Sequence, residues 1–251
     1  MDLGLSGRRA VVIGGSTGLG YAVCRCLAAE GADLLVSARN PDRLATAQAQ
    51  LRAAHPVAVE IVAGDIADPD AVGRLAAAAA SLDAAILVLN TPRPPSPMRD
   101  MLDETDQARW DQAYCDQLHG ALLVLRHLAP VVAAQPDGRI VAITSASVKQ
   151  PMPRHALSTV FRAGVQAALK HLAMELAPRG VTVNAVAPAT VLTPTFSTYH
   201  NLEARIAAVP LRRAGRPEEL AATVAFLASR HAGFITGAAL QFDGGATLAL
   251  L

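Results

Sequence analysis

A glycine-rich segment near the N-terminus has the residue types and spacing of a nucleotide-binding loop. Three apolar residues lead into a tight turn, and a helix-forming segment, 21–30, follows at once. Glycines are needed where a Cβ atom would block the turn or keep the backbone away from a ligand, and the helix N-terminus favours an anion such as a pyrophosphate. We therefore predict nucleotide binding, with an ordinary tight turn as the alternative. The residues predicted to bind the nucleotide are Gly14, Ser16, Thr17, Gly18, Leu19 and Gly20.

Length and composition restrict the classes of function. The chain has 251 residues, of which 52% are apolar, and this suits one large domain with a sizeable core. Its formal net charge is +1, so composition gives no reason to expect binding to nucleic acid or to an acidic membrane surface. We see no signal peptide and no apolar stretch of the roughly 20 residues that cross a bilayer. The three cysteines lack the spacing of metal ligands, so we predict a cytoplasmic protein with reduced thiols and no metal.

The rest of the chain alternates between short apolar segments and helix-forming segments. Continuous apolar strands that alternate with helices indicate a parallel sheet with helices on both faces. The predicted fold is α/β, a single Rossmann-type doubly wound domain of about seven strands over residues 1–251. In such a sheet, ligands bind above the carboxyl ends of the strands. The predicted strands are 11–13, 33–37, 57–62, 84–89, 139–143, 181–185 and 238–242; the later predicted helices are 43–53, 70–81, about 104–132, 157–176 and 217–229.

Several further motifs follow the glycine-rich segment in a characteristic order. They are Asp65 within 64–66, the segments 138–141 and 175–180, Val183 to Pro188, and Asp243 followed by two glycines. Together they resemble the short-chain dehydrogenase/reductase family, most closely its 3-oxoacyl-carrier-protein reductase-like branch, over essentially the full length. The resemblance implies a nicotinamide cofactor, a small-molecule substrate and no nucleic-acid or membrane partner. It also implies a cofactor position for each of Asp65 and Ile66 at the adenine, Asn90 at the nicotinamide ribose, Thr193 near the carboxamide, and Pro188.

The residues after the second predicted strand indicate which nicotinamide cofactor is bound. An acidic side chain at this point would bind the adenosine ribose diol and repel a 2′-phosphate. This chain has Arg39 there, and an arginine offers a fork of donors suited to phosphate. Asn40 and the hydroxyls of the glycine-rich segment are candidates for further hydrogen bonds. We therefore predict NADP(H) rather than NAD(H), and the alternative for Arg39 is a solvated surface side chain.

The catalytic positions depart from the family pattern. By that pattern, a serine is followed by a tyrosine thirteen residues later and by a lysine after four more. The resemblance places Ser145 at the serine position, Ser158 at the tyrosine position and Arg162 at the lysine position. An alkyl hydroxyl is far less acidic than a phenol, and arginine keeps its proton, so neither side chain replaces the tyrosine as a proton donor. Arg162 can still bind the nicotinamide ribose. The alternative interpretation of Ser158 is a residue that caps its own helix.

Other side chains are candidates for the missing proton donor. His155 precedes the long predicted helix and titrates in the useful pH range. Lys149 lies in the loop after the fifth strand, and Tyr114 lies on the preceding helix. Each also has a purely structural reading as a capping histidine, a solvated lysine or a packed tyrosine. Gln117 stands where the family often carries the asparagine of a proton relay.

The segment after the sixth strand, about residues 190–210, is the predicted substrate loop. Met152, Phe196 and Tyr199 are candidates for an apolar lid over the substrate, or else belong to a flap with ordinary packing residues. The resemblance further implies a homotetramer or a dimer. The apolar C-terminal segment, residues 246–251, is consistent with burial at such an interface.

A retained cofactor site beside a lost tyrosine leads to three hypotheses of function. The first is an NADP(H)-dependent reductase of a small or medium carbonyl, imine or activated alkene. In it, Ser145 polarises the acceptor, Arg162 holds the ribose, and water or His155 supplies the proton. The second is a non-redox enzyme, such as a cyclase, isomerase or dehydratase, that uses the same pocket. The third is a catalytically silent NADP-binding protein.

Overall fold

A parallel sheet of seven strands forms the centre of the computed structural model, which describes residues 2–193 and 201–250. The strand order is β3-β2-β1-β4-β5-β6-β7, so β1 pairs with both β2 and β4, and the chain reverses its direction of winding there. This is the point at which ligands bind in doubly wound sheets. The strands are β1 (Arg9–Ile13), β2 (Asp33–Ala38), β3 (Val59–Ala63), β4 (Ile86–Asn90), β5 (Arg139–Ile143), β6 (Thr182–Pro188) and β7 (Ala239–Phe242).

Helices cover both faces of the sheet because side chains alternate along each buried strand. Val12 packs into the core formed with α1, α2 and α8, whereas Val11 and Ile13 pack into the core formed with α3, α5 and α6. None of the helices within the described ranges is long and apolar enough to cross a membrane. The helices are α1 (Gly18–Ala29), α2 (Pro41–Ala54), α3 (Pro69–Ser81), α4 (Gln107–Ala113), α5 (Gly120–Ala133), α6 (Ala156–Leu176), α7 (Leu202–Ala207) and α8 (Pro217–Ala228).

The predicted fold class is confirmed, and the differences lie at the ends of the elements. α2 begins at Pro41, two residues earlier than predicted, because the Asn40 side chain caps it and proline suits a first helical turn. The long helical region predicted at about 104–132 is present from Gln107 to Ala133. A π-helical turn, Tyr114–His119, which the apolar pattern does not reveal, divides it into α4 and α5.

Candidate functional site

A cavity of about 880 Å³ opens above the carboxyl ends of the central strands. It brings together nearly all the residues that the sequence indicated, from loops that are far apart in the chain. Gly20, Lys149, Tyr114 and Gln117 are not part of its lining. The predicted residues that line it are Gly14, Ser16, Thr17, Gly18, Leu19, Arg39, Asn40, Asp65, Ile66, Asn90, Ser145, Met152, His155, Ser158, Arg162, Pro188 and Thr193.

The glycine-rich loop places the N-terminus of α1 at the edge of this cavity. Gly14 and Gly18 have φ angles of +70° and +57°, a conformation that side chains with a Cβ atom rarely adopt. A Cβ atom on Gly20 would lie 2.2 Å from the Gly14 carbonyl oxygen, so Gly20 serves the packing of the helix against the loop. Thr17 precedes α1 but makes no side-chain capping bond, whereas α3 is capped by Asp68. The first turn of α1 can therefore receive an anion.

Arginine side chains follow β2 at the same end of the cavity. Arg39 and Arg43 are exposed and line it together; the sequence analysis missed Arg43, although it follows Arg39 by one helical turn. Asn40 uses its Oδ1 atom to accept a hydrogen bond of 2.9 Å from the Arg43 backbone N–H, so only its amide NH₂ group is left for a ligand. Burial holds the pKa of Asp116 above its ordinary value, Asp65 adds to this effect and Arg39 opposes it. This end of the cavity therefore contains both carboxyl groups and arginine side chains.

Arg162 lies buried at the other end, and its guanidinium donates three hydrogen bonds. Nε binds Thr91 Oγ1 at 2.9 Å, Nη1 binds Ser158 Oγ at 2.6 Å, and Nη2 binds the Pro92 carbonyl oxygen at 2.7 Å. Ser158 and Arg162 are four residues apart on α6, so they share one face of the helix. Burial, together with Arg93, lowers the pKa of Arg162 to about 10, so it remains a cation at neutral pH.

Ser145 stands directly after β5 and is also buried. Its Oγ atom accepts a hydrogen bond of 3.2 Å from the Ser147 backbone N–H and lies 2.9 Å from Ser147 Oγ. The Thr91 hydroxyl donates to the Ile143 carbonyl oxygen at 2.8 Å and also accepts from Arg162, so it ties the arginine to the end of β5. The ends of β4 and β5 and the first turns of α6 thus position the catalytic candidates.

His155 is held by hydrogen bonds to two groups of the described chain. Its Nδ1 atom lies 2.7 Å from the Pro153 carbonyl oxygen, which can only accept, so Nδ1 carries a proton. Nε2 then accepts from Arg205 Nη2 at 2.9 Å. Burial lowers the pKa of His155, and Arg205, Arg162 and Arg154 lower it further, although the bond to Pro153 opposes them. The neutral His155 ring donates its one N–H to Pro153 and accepts a hydrogen bond at Nε2, so it is a poor general acid.

The remaining predicted candidates lie away from the cavity. Lys149 is exposed, and Tyr114 is half-exposed with its ring 6.2 Å from that of Phe161. Gln117 is fully buried in the π-helical turn, and neither of its amide atoms has a hydrogen-bond partner among the described residues. Met152 lines the cavity, whereas Phe196 and Tyr199 fall within 194–200, outside the described residues.

An ion-pair cluster that the sequence analysis missed supports one wall of the cavity. This wall contains the proline-rich loop after β4. Arg109 binds the buried Glu104 carboxylate through Nε at 2.5 Å, and Arg99 lies 3.6 Å from the same carboxylate. Arg99 and Arg109 lie five residues before and after Glu104, a spacing outside the i,i+3 and i,i+4 pairs of a helix, so helical periodicity does not indicate the cluster. Arg109 also donates to loop carbonyl oxygens, those of Pro95, Ser96 and Pro97.

Comparisons with known proteins agree with this architecture. A family model described as enoyl-(acyl carrier protein) reductase matches residues 14–247. A galactitol 2-dehydrogenase (L-tagatose-forming) from Cereibacter sphaeroides is 36% identical over 250 residues, which cover 97% of this chain and 96% of that protein.

Solved structures are similar over the whole chain. L-Sorbose reductase from Gluconobacter frateurii, complexed with NADPH and L-sorbose, has a TM-score of 0.91 and 30% identity and covers 100% of both chains. An NADPH-bound short-chain oxidoreductase from Pseudomonas aeruginosa PAO1, described as containing an atypical catalytic center, has a TM-score of 0.89 and 28% identity, with 96% of this chain and 97% of that chain covered.

Proposed function

The chain belongs to the short-chain dehydrogenase/reductase family, and from this premise we propose that it is an NADP(H)-dependent reductase whose active site works without the family tyrosine. Its acceptor is a small or medium carbonyl compound, imine or activated alkene. The observation that carries the proposal is the buried Arg162–Ser158 pair, which lies in the same cavity as the glycine-rich loop. This arrangement supports a cofactor site and a catalytic site at the two ends of one cavity.

The residues that line the cavity fit NADP(H). Gly14 and Gly18 place no Cβ atom at the two positions of positive φ in the loop, and the uncapped start of α1 suits the diphosphate. Arg39 and Arg43 provide fixed positive charge for the 2′-phosphate at the end of β2. The expected nicotinamide positions, which are Asn90, Arg162, Pro188 and Thr193, lie at the opposite end with Ser145. NADPH in the structures of two similar proteins supports this assignment.

Each catalytic side chain has a role that its geometry allows. When bound, NADPH supplies a hydride, and the acceptor carbon gains that hydride while its oxygen or nitrogen gains one proton. Ser145 Oγ accepts from the Ser147 N–H and can donate its own proton in a hydrogen bond to the acceptor. Three of the five N–H groups of Arg162 bind protein oxygens, so two are left for the ribose. Its charge also stabilises negative charge that develops on the acceptor oxygen.

We assign the proton to water in preference to His155. The His155 Nε2 atom accepts from Arg205, and its lowered pKa keeps the ring neutral. Ser158 receives a hydrogen bond from Arg162, so its own hydroxyl proton is directed to a different acceptor. In this scheme Ser158 orients the substrate or a water molecule and does not act as an acid.

The test is NADPH oxidation against a panel of carbonyl, imine and activated-alkene compounds, with deuterated NADPH to follow the transferred hydride. We expect saturable NADPH binding and substrate-dependent transfer of the label into the product. Ser145→Ala should lower kcat about 100-fold, since it removes a donor to the developing charge, while the Kd for NADPH stays the same. No transfer to any compound would refute the proposal. Turnover without NADP(H) would favour a non-redox enzyme that uses the same pocket.

We further propose that residues 1–251 act as one cytoplasmic domain that assembles into a homotetramer or dimer. Phe234 is 104% exposed, and Leu248 and Leu250 are 83% and 94% exposed, which is apolar surface that assembly would remove from water. The free thiols of Cys24, Cys26 and Cys115 are compatible with a reducing compartment. Sedimentation velocity would measure the state of assembly.

A further inference from the structure

Positive charge is concentrated at the catalytic end of the cavity. Arg93 from the loop after β4, Arg162 from α6 and Arg205 from α7 all line it. Among the described residues Arg205 forms no ion pair; its Nη2 atom lies 2.9 Å from His155 Nε2 and its Nη1 atom lies 3.7 Å from Met152 Sδ. These arginines come from three separate segments of the chain, and they lie together only in the folded protein.

Two pairs of basic side chains lie close enough to interact: Arg162 with Arg93, and Arg205 with Arg154. Burial lowers the pKa of Arg162, and Arg93 lowers it further. Burial also lowers the pKa of Arg205, with a further effect from Arg154. Each shift records a positive charge that is partly removed from water and faces another positive charge. Such an arrangement costs free energy in the absence of a neutralising group.

Within the described residues, the carboxylates near Arg162 and Arg205 are engaged elsewhere. No carboxylate within residues 2–193 and 201–250 forms an ion pair with the Arg162 or Arg205 guanidinium. Glu104 is bound by Arg109, and Asp100 accepts from the Arg154 backbone N–H. Of the acids that line the cavity, Asp116 interacts electrostatically with Arg39 and with Asp65 at the adenine end.

We propose that the acceptor is an oxo acid and that Arg205 binds its carboxylate. This inference rests on the proposed function and adds the class of substrate to it. A guanidinium offers two parallel N–H groups that match the two oxygens of a carboxylate. The carbonyl of the oxo acid then lies toward Ser145 and Arg162, and its reduction by NADPH and one proton gives a hydroxy acid and NADP⁺.

Arg205 suits this role better than Arg162 does. Arg162 already donates three hydrogen bonds to protein oxygens and occupies the expected ribose position. Among the described residues, Arg205 donates one to His155 and contacts the Met152 thioether, a weak acceptor. His155 is then a positioning residue, because its bond to Pro153 fixes the ring and its Nε2 atom orients the guanidinium. The apolar Met98, Met152 and Val191 side chains at this end favour an organic acid over a free phosphate.

The test compares oxo acids with their methyl esters as acceptors for the full-length enzyme. The variants are Arg205→Gln, Arg205→Lys and, as the matched control, Arg25→Gln. Arg25 is exposed on α1 and is absent from the cavity lining, and its substitution removes the same charge. Wild type should reduce the acids with a KM about 10- to 100-fold lower than that of the esters. Arg205→Gln should remove this preference by raising the KM of the acids, with the KM of the esters and the Kd for NADPH unchanged. Arg205→Lys should retain part of it.

Calorimetric binding of the product hydroxy acid to the NADP⁺-loaded protein separates this inference from the proposed function. Suppose that the hydroxy acid binds wild type, that Arg205→Gln weakens this binding, and that no compound accepts a hydride. This result would refute the proposed reductase activity and support the anion site. Reduction of esters and acids with equal KM by wild type would refute the anion site and retain the reductase. An equal rise in the KM of acids and of esters in Arg205→Gln would also refute the anion site, because the arginine would then act on structure alone. Thermal melting checks that each variant is folded.

Discussion

Removal of the Arg39 side chain should abolish the preference for NADPH over NADH. The side chain is exposed, lines the cavity after β2, and forms no ion pair with any described residue. Arg39→Ala therefore leaves no buried group without a partner, and its effect on stability should stay within about 0.5 kcal/mol. A hydrogen bond to a charged group contributes about 1.5–3 kcal/mol. The Kd for NADPH should accordingly rise about 10- to 150-fold.

NADH lacks the 2′-phosphate, so its Kd should change much less, by about threefold or less from lost stacking on the adenine. The assay is a fluorescence titration of both cofactors against wild type, Arg39→Ala and Arg25→Ala, the last as an exposed control outside the cavity. Because Arg39 is exposed, the NADPH effect should shrink as salt screens the charge. A ratio of the two Kd values that stays within threefold of wild type in Arg39→Ala would refute the assignment and leave Arg39 as a solvated side chain.

Two further predictions concern the framework of the site. Gly20→Ala should lower the unfolding free energy by about 1–3 kcal/mol and weaken NADPH binding, because its Cβ would lie 2.2 Å from the Gly14 carbonyl oxygen; Gly73→Ala, in open space on α3, should be neutral or stabilising. A hydrogen bond from Arg109 holds the pKa of Glu104 below its ordinary value. The contribution of ionised Glu104 to the free energy of unfolding should be complete above about pH 4.3 and decline as the pH falls through the lowered pKa. In urea unfolding curves, Glu104→Gln should remove this pH dependence.

The elements and the glycine-rich turn at the cavity could be predicted from the sequence because their signals are local. The apolar runs of Val11 to Ile13 and of the later strands specify buried parallel strands, and the glycine spacing specifies the turn. The spacing of four between Ser158 and Arg162 likewise places both side chains on one helical face, and their hydrogen bond follows from it.

Contacts between distant segments could not be predicted in this way. Arg205 meets His155 across 50 residues, and Arg162 binds Thr91 Oγ1 across 71 residues. His155 was a candidate acid by residue type alone, and the partner that makes it a hydrogen-bond acceptor comes from α7. The pKa of a side chain depends on such neighbours, so its role in catalysis is settled by tertiary structure.

The loss of the tyrosine and the charge of the cavity are connected by the same physical argument. A phenol can give a proton to the substrate oxygen, so a site that has one need not stabilise a full negative charge. Ser145, Ser158 and Arg162 offer hydrogen bonds and fixed charge but no readily released proton. In the proposed mechanism, a site built from them stabilises the oxyanion by electrostatics until water protonates it. Additional cations such as Arg205 favour both that oxyanion and an anionic substrate. The proposed catalysis and the proposed substrate class therefore depend on the same excess of positive charge.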